Sequence, residues 1–362
     1  MNALREALLE TAQAWCDPSY PVRRQAELRA LSENPFFTPE AVGYAIQARL
    51  SGLSREALER WIGTDAPLSE PARIAIVHPG NIPLVGWEDL VAAVLMGHAV
   101  WSRPSRRNRA LLMAFVQDWR RRVPGLPVRW IEDLEEALPG VDGLIASGSD
   151  ETVRLLRQLA LKVGLGPERL LLRGHRFAVA WCEPDCAPED LFALARDSWL
   201  YEGRGCRSVA VIWAPAGLDP GRFWEAYRQF RALFPAPQAA IEALRGERAL
   251  YEALRPWLPG LWSDPAGLLS VGPPEPRRPG HVRWTFYSRP EEVLSWLEAH
   301  RDRIQVVVAQ RNPPTGWEPM WARPGEAQCP PLDWRPDGVD TIAWLRAIKP
   351  RICSDRESTY AR

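Results

Sequence analysis

Lysine is almost absent from this chain. Only Lys162 and Lys349 are lysines, and arginine supplies the rest of the 45 basic residues. A mechanism that uses an amine nucleophile therefore has two candidates at most. The chain also lacks the Gly-Lys-Ser/Thr of a phosphate-binding loop, the HExxH of a zinc protease and the GxSxG of a serine hydrolase, so these three classes are excluded.

Excess charge, long apolar runs and ordered cysteine spacing are missing as well. The 45 basic and 45 acidic residues cancel, so composition favours neither nucleic acid nor an anionic membrane as a partner. No apolar run reaches the roughly 18 residues of a membrane span, and MNALREALLE lacks the pattern of a signal peptide. Six cysteines at irregular spacings predict no disulfide framework, and the isolated CxxxC of Cys182 and Cys186 predicts no metal site. We therefore expect a reduced, soluble, cytoplasmic protein.

The chain does contain a clear alternation of strands and helices. The N-terminal 62 residues predict helices, with Thr38 as a helix cap ahead of Pro39. From about residue 72, apolar β-branched runs alternate with stretches of helical length, and the alternation restarts after RFAVAW. This order predicts parallel sheets with right-handed crossovers. We expect an α/β fold divided into a helical segment (1–62) packed on a first α/β domain (63–180), a second α/β domain (181–345) and a tail (346–362).

Two stretches rich in proline and glycine follow the last predicted helix. LPGLWSDPAGLLSVGPPEPRRPG and NPPTGWEPMWARPGEAQCPP predict loops. The tryptophans between about residues 257 and 335 either line an apolar tunnel or pack in the core.

One cysteine stands in an unusual setting, in YEGRGCRSVAV. Gly203 is expected to end the preceding helix in a left-handed conformation, and Gly205 lets the backbone approach a ligand closely. Arg204, Arg207 and the N–H groups of the turn are expected to lower the pKa of the Cys206 thiol and favour the nucleophilic thiolate. The alternative is a buried structural cysteine.

Two further segments carry candidate chemistry. In VHPGNIPLVG, Asn81 follows a predicted strand, where its amide is either a donor to a developing oxyanion or a turn residue bonded to its own backbone. In ASGSDE, Gly148 and Ser149 open a predicted helix, whose N-terminus either attracts a pyrophosphate or is an ordinary cap.

The order of these segments resembles the aldehyde dehydrogenase superfamily, and within it the acyl-CoA reductase branch that includes the fatty-acid reductase subunit of bacterial bioluminescence. The resemblance covers most of the chain and rests on HPGNIPLVGWEDL with GHAVWSRPSRRN, GSDETV, RGHRFAVAW with YEGRGCRSVAVIWAP, PPLDWRPDGVDTIAWL and DPSYPVRRQAELRAL. It implies two Rossmann-like domains of the aldehyde dehydrogenase type, of which the first (63–180) binds a dinucleotide and the second (181–345) carries the nucleophile.

The resemblance also implies roles for individual residues. Cys206 would be the nucleophile, and the Asn81 amide with the backbone N–H of Cys206 would form the oxyanion hole. The residues implied to contact the cofactor are Gly80, Arg103, Ser105, Arg106, Gly148 and Ser149. Because Arg106 falls where NAD-preferring members often have a glutamate, we expect it to favour the 2′-phosphate of NADPH, with NADH as the alternative cofactor. A solvated arginine in a basic loop is the competing interpretation.

One departure from the superfamily bears on the reaction. Members that hydrolyse an acyl-enzyme carry a glutamate in an ELGGK-like stretch, whereas the comparable LLLRGHRF has no carboxylate. Without a positioned base, attack by water loses a factor of roughly 10²–10⁴, which suits a reductase. Glu202 and His175 are the other candidates for proton transfer. We expect the first to be a solvated helix end and the second a structural histidine.

These inferences predict an acyl-CoA reductase, which transfers the acyl group of a thioester, fatty acyl-CoA being favoured, to Cys206 and reduces it to an aldehyde with NADPH. The alternatives are an aldehyde dehydrogenase that uses NAD(P), an acyl-phosphate reductase, and a non-catalytic acyl-binding or scaffold subunit. Expected partners are the acyl thioester and either further copies of the chain or an acyl-transferring protein.

Overall fold

The structure of the chain is a computed structural model that describes residues 2–64, 68 and 70–351. The predicted tail at 346–362 therefore lies outside the described residues from position 352 onward. No helix within the described ranges is long and apolar enough to cross a membrane.

Four helices form the N-terminal segment. They are α1 (Asn2–Cys16), α2 (Pro21–Glu33), α3 (Pro39–Leu50) and α4 (Arg55–Ile62). Thr38 caps α3 as predicted, because its hydroxyl accepts a hydrogen bond from the Ala41 N–H at 3.2 Å. The buried Trp15 at the end of α1 donates its indole N–H to the Asp118 carboxylate in the first α/β domain. The segment is thus fastened to that domain by a buried polar contact as well as by packing.

The first α/β domain contains a parallel sheet of five strands. The strands are β1 (Arg73–His78), β2 (Ala99–Pro104), β3 (Val128–Trp130), β4 (Gly143–Ser147) and β5 (Leu170–Arg173), in the order β3-β2-β1-β4-β5. The helices between them are α5 (Trp87–Leu95), α6 (Ala110–Arg122), α7 (Leu134–Ala137) and α8 (Asp150–Lys162). The connection from β1 leads to β2 on one side, while β4 lies on the other. The strand order therefore reverses at β1. Folds of this kind form a ligand crevice at the carboxyl end of the strand where the order reverses.

The second α/β domain contains a mixed sheet of seven strands. The strands are β6 (Phe177–Trp181), β7 (Val209–Pro215), β8 (Leu261–Asp264), β9 (Gly267–Val271), β10 (His281–Tyr287), β11 (Ile304–Ala309) and β12 (Trp321–Ala322), in the order β12-β11-β6-β7-β10-β9-β8. The helices are α9 (Pro188–Trp199), α10 (Pro220–Leu233), α11 (Gln238–Leu254) and α12 (Pro290–Ala299), and α13 (Thr341–Ala347) follows the sheet. Only the β8–β9 pair is antiparallel among the described strands.

The structure differs from the predicted boundaries in two places. Strand β6, which the predicted boundary at 180/181 assigns to the first domain, hydrogen-bonds to β7 and β11 in the second sheet. Helix α13, most of which the prediction assigns to the second domain, returns to the first: the imidazole of the buried His98 contacts the Leu345 carbonyl oxygen at 3.0 Å. Local sequence patterns identify the elements but not the sheet that each one joins.

The first stretch that the sequence predicts as a loop contains a β-hairpin instead. Strands β8 and β9 flank a tight turn at residues 265–266, and Leu261 and Leu268 are buried beneath helix α11. The short apolar pairs on either side of Asp-Pro-Ala-Gly are too brief to show a period of two, which explains why the pattern was missed.

Most of the large aromatic side chains pack in the interior. Trp284 and Trp317 are fully buried. Both belong to the region between about residues 257 and 335, whose tryptophans were expected either to line a tunnel or to pack in the core. Trp257 is 77% exposed, and Trp334 lies on the wall of the cavity described below. The tryptophans of this region therefore serve mainly as core, with one member at the cavity.

Candidate active site

A large cavity lies where the two α/β domains meet the N-terminal helices. Its volume is about 980 Å³, at the upper end of the range for small-molecule sites. Three of the segments singled out in the sequence line it: the end of β1 with Gly80 and Asn81, the start of α8 with Gly148 and Ser149, and the turn that carries Cys206. Residues 330–337 and helix α13 line it as well.

The turn before Cys206 has an unusual backbone. Helix α9 ends at Trp199, and Tyr201, Glu202 and Gly203 then adopt left-handed conformations, with φ between 58° and 68°. Gly203 is left-handed as predicted, but two residues with side chains share that conformation, which costs of order 1 kcal/mol or more for each. The surrounding contacts must therefore hold the turn in place.

Gly205 packs closely against side chains within the protein. A Cβ atom at this position would lie 2.7 Å from Cδ1 of Ile82, the residue after Asn81. The Ser208 hydroxyl accepts a hydrogen bond from the Gly205 N–H at 3.2 Å. The glycine thus brings the cysteine turn against the asparagine segment, and the close approach that we expected to a ligand is a close approach to Ile82.

Cys206 is exposed and lines the cavity, so the alternative of a buried structural cysteine does not hold. The predicted direction of its pKa shift is wrong, however. Removal from bulk water by the surrounding protein raises the pKa of the thiol, Asp337 raises it further, and the positive charges of Arg207 and Arg173 oppose this only in part. The arginines are present, but desolvation outweighs them.

Asn81 connects the first domain to the cysteine turn. Its side-chain amide donates a hydrogen bond to the Arg204 carbonyl oxygen at 2.8 Å, across 123 positions in sequence. Its Oδ1 atom is buried and has no hydrogen-bond partner among the described residues. This is not the local bond of a turn asparagine. Since an amide nitrogen has two hydrogens, one remains for another acceptor.

The residues expected to contact a cofactor divide into two groups. Gly148 and Ser149 line the cavity, where Ser149 caps α8 by accepting a hydrogen bond from the Thr152 N–H. Gly80 also lines it, and a Cβ there would lie 2.5 Å from the Ser105 hydroxyl, so these two residues are in contact. The free N–H groups at the start of the 13-residue helix α8 suit a pyrophosphate.

Arg103 and Arg106 form the second group. Both are exposed at the end of β2, outside the lining of the cavity. Arg103 donates a hydrogen bond to the Glu132 carbonyl oxygen at 3.0 Å. Because β2 lies beside β1, both arginines are on the same sheet edge as Gly80. This placement fits the outer, adenosine end of a dinucleotide better than its nicotinamide end.

The LLLRGHRF stretch, which has no carboxylate, contributes the cation of Arg173 to the cavity lining. Arg173, at the end of β5, forms a two-pronged ion pair with Asp89 at 2.6 and 3.0 Å and also donates to the Thr341 hydroxyl. Both charged side chains are only 10% exposed. The contacts of Arg173 with Asp89 and Thr341 thus join strand β5, helix α5 and helix α13 at the cavity wall.

The expectations for the two other proton-transfer candidates are not met. Glu202 is buried, pairs with Arg231 at 2.8 Å and is not among the residues that line the cavity. It is therefore not a solvated helix end. His175 is exposed on the cavity wall, and its backbone N–H donates to Asp150, so it is not a packed structural histidine.

Several residues of the cavity were not identified from the sequence. Asp337 pairs with Arg176 at 3.2 Å, and the Arg207 guanidinium lies 4.9 Å from the centre of the Trp334 ring. Cys329 supplies a second exposed thiol. Asp337 and Trp334 lie within the C-terminal signature PPLDWRPDGVDTIAWL, but nothing local indicates that this segment faces Cys206.

A second constellation has the connectivity of a serine–histidine–acid triad. The Ser270 hydroxyl is 2.7 Å from His281 Nε2, and His281 Nδ1 is 2.6 Å from the Glu247 carboxylate. Ser270 is completely buried, however, and no residue of this group lines the cavity. We interpret it as a satisfied polar network within the sheet. No group of three or more metal-ligating side chains occurs among the described residues.

Comparisons with known proteins identify the family. A family model described as acyl-CoA reductase (LuxC) matches residues 3–220, which is more than half of the chain. The chain belongs to the acyl-CoA reductase (LuxC) family. Family membership sets the class of enzyme, an oxidoreductase that acts on acyl-CoA, and agrees with the resemblance seen in the sequence. No curated protein matches the chain.

Solved structures show that this member of the acyl-CoA reductase family has the aldehyde dehydrogenase fold. An AldH of Staphylococcus aureus, in a substrate-bound state, is 13% identical with a TM-score of 0.58, over 86% of this chain and 77% of that one. A benzaldehyde dehydrogenase of Corynebacterium glutamicum, described as NAD-dependent, is 11% identical with a TM-score of 0.57, over 85% and 78%. Proline utilization A of Bradyrhizobium japonicum is 14% identical with a TM-score of 0.60, over 85% of this chain and 36% of that one. The chain thus spans about a third of the last protein.

Proposed function

We propose that the chain reduces an acyl-CoA to the aldehyde with NADPH, through a thioester formed on Cys206. The observation that carries this proposal is the shared cavity, in which the exposed thiol of Cys206 lies with Asn81 and the start of helix α8. A sulfur nucleophile suits the task because it accepts an acyl group from another thioester and is also a good leaving group.

In the first half of the reaction, the Cys206 thiolate attacks the carbonyl carbon of the thioester. Negative charge develops on the carbonyl oxygen, and we assign its stabilisation to the second amide hydrogen of Asn81 and the backbone N–H of Cys206. Because Asn81 is anchored on the Arg204 carbonyl oxygen at 2.8 Å, its amide is oriented before the substrate arrives. The CoA sulfur then leaves, and the acyl group remains on Cys206.

The second half requires a hydride donor, and a nicotinamide cofactor held in the cavity would supply that chemistry. Gly148 and Ser149 are proposed to hold its pyrophosphate at the start of α8, and Gly80 and Ser105 its adjoining part. The resulting thiohemiacetal on Cys206 collapses to the aldehyde and the free thiolate. We assign the preference for NADPH to Arg106, with Arg103 nearby. Both arginines are exposed on the sheet edge that also carries Gly80, and both have the positive charge that a 2′-phosphate requires.

Protection of the acyl-enzyme from water follows from the same cavity. The strand end that carries a water-activating glutamate in hydrolytic relatives here presents Arg173, already paired with Asp89. A guanidinium cannot act as a general base near neutral pH. Water at this strand end therefore has no general base, which slows hydrolysis of the thioester on Cys206 relative to the hydrolytic members.

We also assign a fatty acyl substrate and a cytoplasmic location. Apolar side chains line the part of the cavity between helix α4 and helix α13, among them Leu53, Trp61, Leu332 and Ile342. This surface suits an alkyl chain. The chemistry requires a reduced thiol, which the cytoplasm maintains. An acyl-transferring protein or a second copy of the chain is the expected partner.

The decisive experiment is the intact mass of the protein after incubation with acyl-CoA of several chain lengths, without reductant. We expect one added acyl group, which Cys206→Ala abolishes together with acyl-CoA-dependent oxidation of NADPH. The matched control is Cys329→Ala, because this second exposed thiol lies in the same cavity and should be dispensable. An adduct that survives in C206A and disappears in C329A would overturn the assignment.

The same assay separates the alternative reactions. Acyl phosphate or aldehyde replaces acyl-CoA in parallel incubations, each with NADPH or NADH, and absorbance follows the cofactor. Turnover with aldehyde and NAD alone would indicate an aldehyde dehydrogenase, and turnover with acyl phosphate alone an acyl-phosphate reductase. Absence of both the adduct and turnover would indicate a non-catalytic acyl-binding subunit.

A further inference from the structure

The proposed reaction leaves one requirement unmet, a base for the Cys206 thiol. The protein around the cavity partly desolvates the exposed Cys206 thiol and raises its pKa, so the thiol carries its proton at neutral pH and must lose it before attack. Glu202 is engaged with Arg231 outside the cavity lining, and Arg173 has no basic function near neutral pH. His175 lines this cavity as well. Asp337 is preferred to it because the charge of Asp337 acts on the Cys206 thiol and an ion pair with Arg176 fixes its position.

Asp337 is a carboxylate built into the cavity wall. Its side chain is only 13% exposed, and it lines the same cavity as Cys206. Strand β11 provides a fixed partner, Gln305: in the amide orientation that satisfies both atoms, its N–H lies 2.6 Å from an Asp337 carboxylate oxygen and its oxygen 3.1 Å from the Asp337 N–H. Arg176 holds the same carboxylate oxygen at 3.2 Å. Only one of the two oxygens is used by these contacts.

The backbone at Asp337 is strained. It lies in the left-handed region with φ of 57°, between Pro336 and Gly338. For a residue with a side chain such a conformation costs about 1–3 kcal/mol and persists where other contacts enforce it, commonly at functional sites. Gly338, which follows, tolerates this conformation at no cost. The strain thus falls on a residue that lines the cavity.

We propose that Asp337 is the general base that takes the proton of the Cys206 thiol and then, as a general acid, gives it to the departing CoA sulfur. This inference rests on the proposed function, since it assigns a residue to the acylation half of that reaction. It assigns to Asp337 the proton transfer for which the sequence offered Glu202 and His175 as candidates.

The step balances in atoms and charge. The Asp337 carboxylate takes the S–H proton, and the electron pair left on sulfur forms the bond to the acyl carbon. The bond from that carbon to the CoA sulfur then breaks, and the CoA sulfur takes the proton from the carboxylic acid. Asp337 is again a carboxylate, Cys206 is acylated, and no oxidant or reductant is consumed in this half.

Charged side chains on several elements act on Asp337 and Cys206. Arg173 from β5 and Arg176 from the following loop face Asp337, and Arg207 faces Cys206. Burial nonetheless raises the pKa of Asp337 above its usual range. A carboxylate with a raised pKa is a stronger base than an ordinary aspartate, which favours its acceptance of a proton from the thiol.

The test compares Asp337→Asn with the wild type in single-turnover acylation, followed by intact mass between pH 6 and pH 10 without reductant. We expect D337N to be slower by roughly 10²–10⁴-fold near pH 6.5. Its rate should then rise about tenfold per pH unit, because the thiol must ionise without help, and approach the wild-type rate at high pH. Asp337→Glu should restore part of the neutral rate.

Control variants and the sign of the effect separate this role from others. Asp333→Asn removes an exposed carboxylate of the same cavity wall and should leave the profile unchanged. If Asp337 acted only through its charge, which raises the pKa of Cys206, its removal would make acylation at neutral pH faster.

A faster or unchanged neutral rate in D337N would therefore overturn the proposal. So would a loss of equal size at every pH, which indicates a structural role. Failure of the proposed function itself is distinct, because the wild type would then form no adduct on Cys206.

Discussion

Replacing Asp197 by asparagine should stabilise the protein at neutral pH and not at acid pH. Asp197 lies on helix α9 just before the cysteine turn, is completely buried, and accepts a hydrogen bond from the Gly325 N–H at 2.6 Å. Its other carboxylate oxygen has no hydrogen-bond partner among the described residues. Burial raises the pKa of Asp197 to about 7 from the model-compound value of 3.8.

The size and sign of the change in unfolding free energy follow from the difference between the folded and unfolded pKa values of Asp197. In the unfolded chain Asp197 ionises near pH 4, whereas in the folded protein it keeps its proton until about pH 7. Stability is therefore greatest below the unfolded pKa and falls as pH rises towards the folded pKa. At 1.36 kcal/mol per pKa unit, the loss at pH 7 is about 4 kcal/mol, to order of magnitude. Asparagine keeps the acceptor for Gly325 and does not ionise.

The assay is denaturant-induced unfolding from pH 4 to pH 8, followed by tryptophan fluorescence. The difference in unfolding free energy between D197N and the wild type should be small at pH 4, should grow in favour of the variant up to about pH 7, and should then level off. Glu189→Gln, an exposed carboxylate of the same helix, controls for the loss of a surface charge. A difference that is constant with pH, or that grows in favour of the wild type, would refute the reasoning.

The remaining predictions concern the cavity. Asn81→Ala should lower kcat by roughly 10²–10³-fold if its amide stabilises the oxyanion, with KM for acyl-CoA almost unchanged in steady-state assays. Gly205→Ala should destabilise the fold by about 1–3 kcal/mol and slow acylation, because the new Cβ meets Ile82. Gly246→Ala, on helix α11 with open space around it, is the control and should stabilise by about 0.5–1 kcal/mol. Arg106→Glu should raise KM for NADPH at least tenfold and leave KM for NADH little changed; equal effects on both cofactors would remove Arg106 from 2′-phosphate recognition.

The wrong direction predicted for the Cys206 pKa shows what a sequence leaves out. Counting Arg204 and Arg207 beside the cysteine gave a lowered pKa, because charges near in sequence are visible in the letters. Desolvation depends on all the segments that surround the sulfur. The negative charge of Asp337, from a distant loop, raises the pKa of the thiol further. The same limit applies to Glu202, whose partner Arg231 lies 29 positions away and converts a predicted solvated end into a buried ion pair.

Local elements and the order of the motifs can be read from the amino-acid sequence. Strand and helix periodicity, the Thr38 cap and the glycines around Cys206 are properties of neighbouring residues, and they predict the α/β class, whereas the family was suggested by the resemblance of the ordered motifs and shown by the family model. Tertiary structure alone decided which sheet takes strand β6, that helix α13 returns to the first domain, and that Asp337 faces the cavity of Cys206. These are choices of partner between segments far apart in the chain. They are made by the burial of whole surfaces and by the satisfaction of buried polar groups, neither of which any short stretch of sequence records.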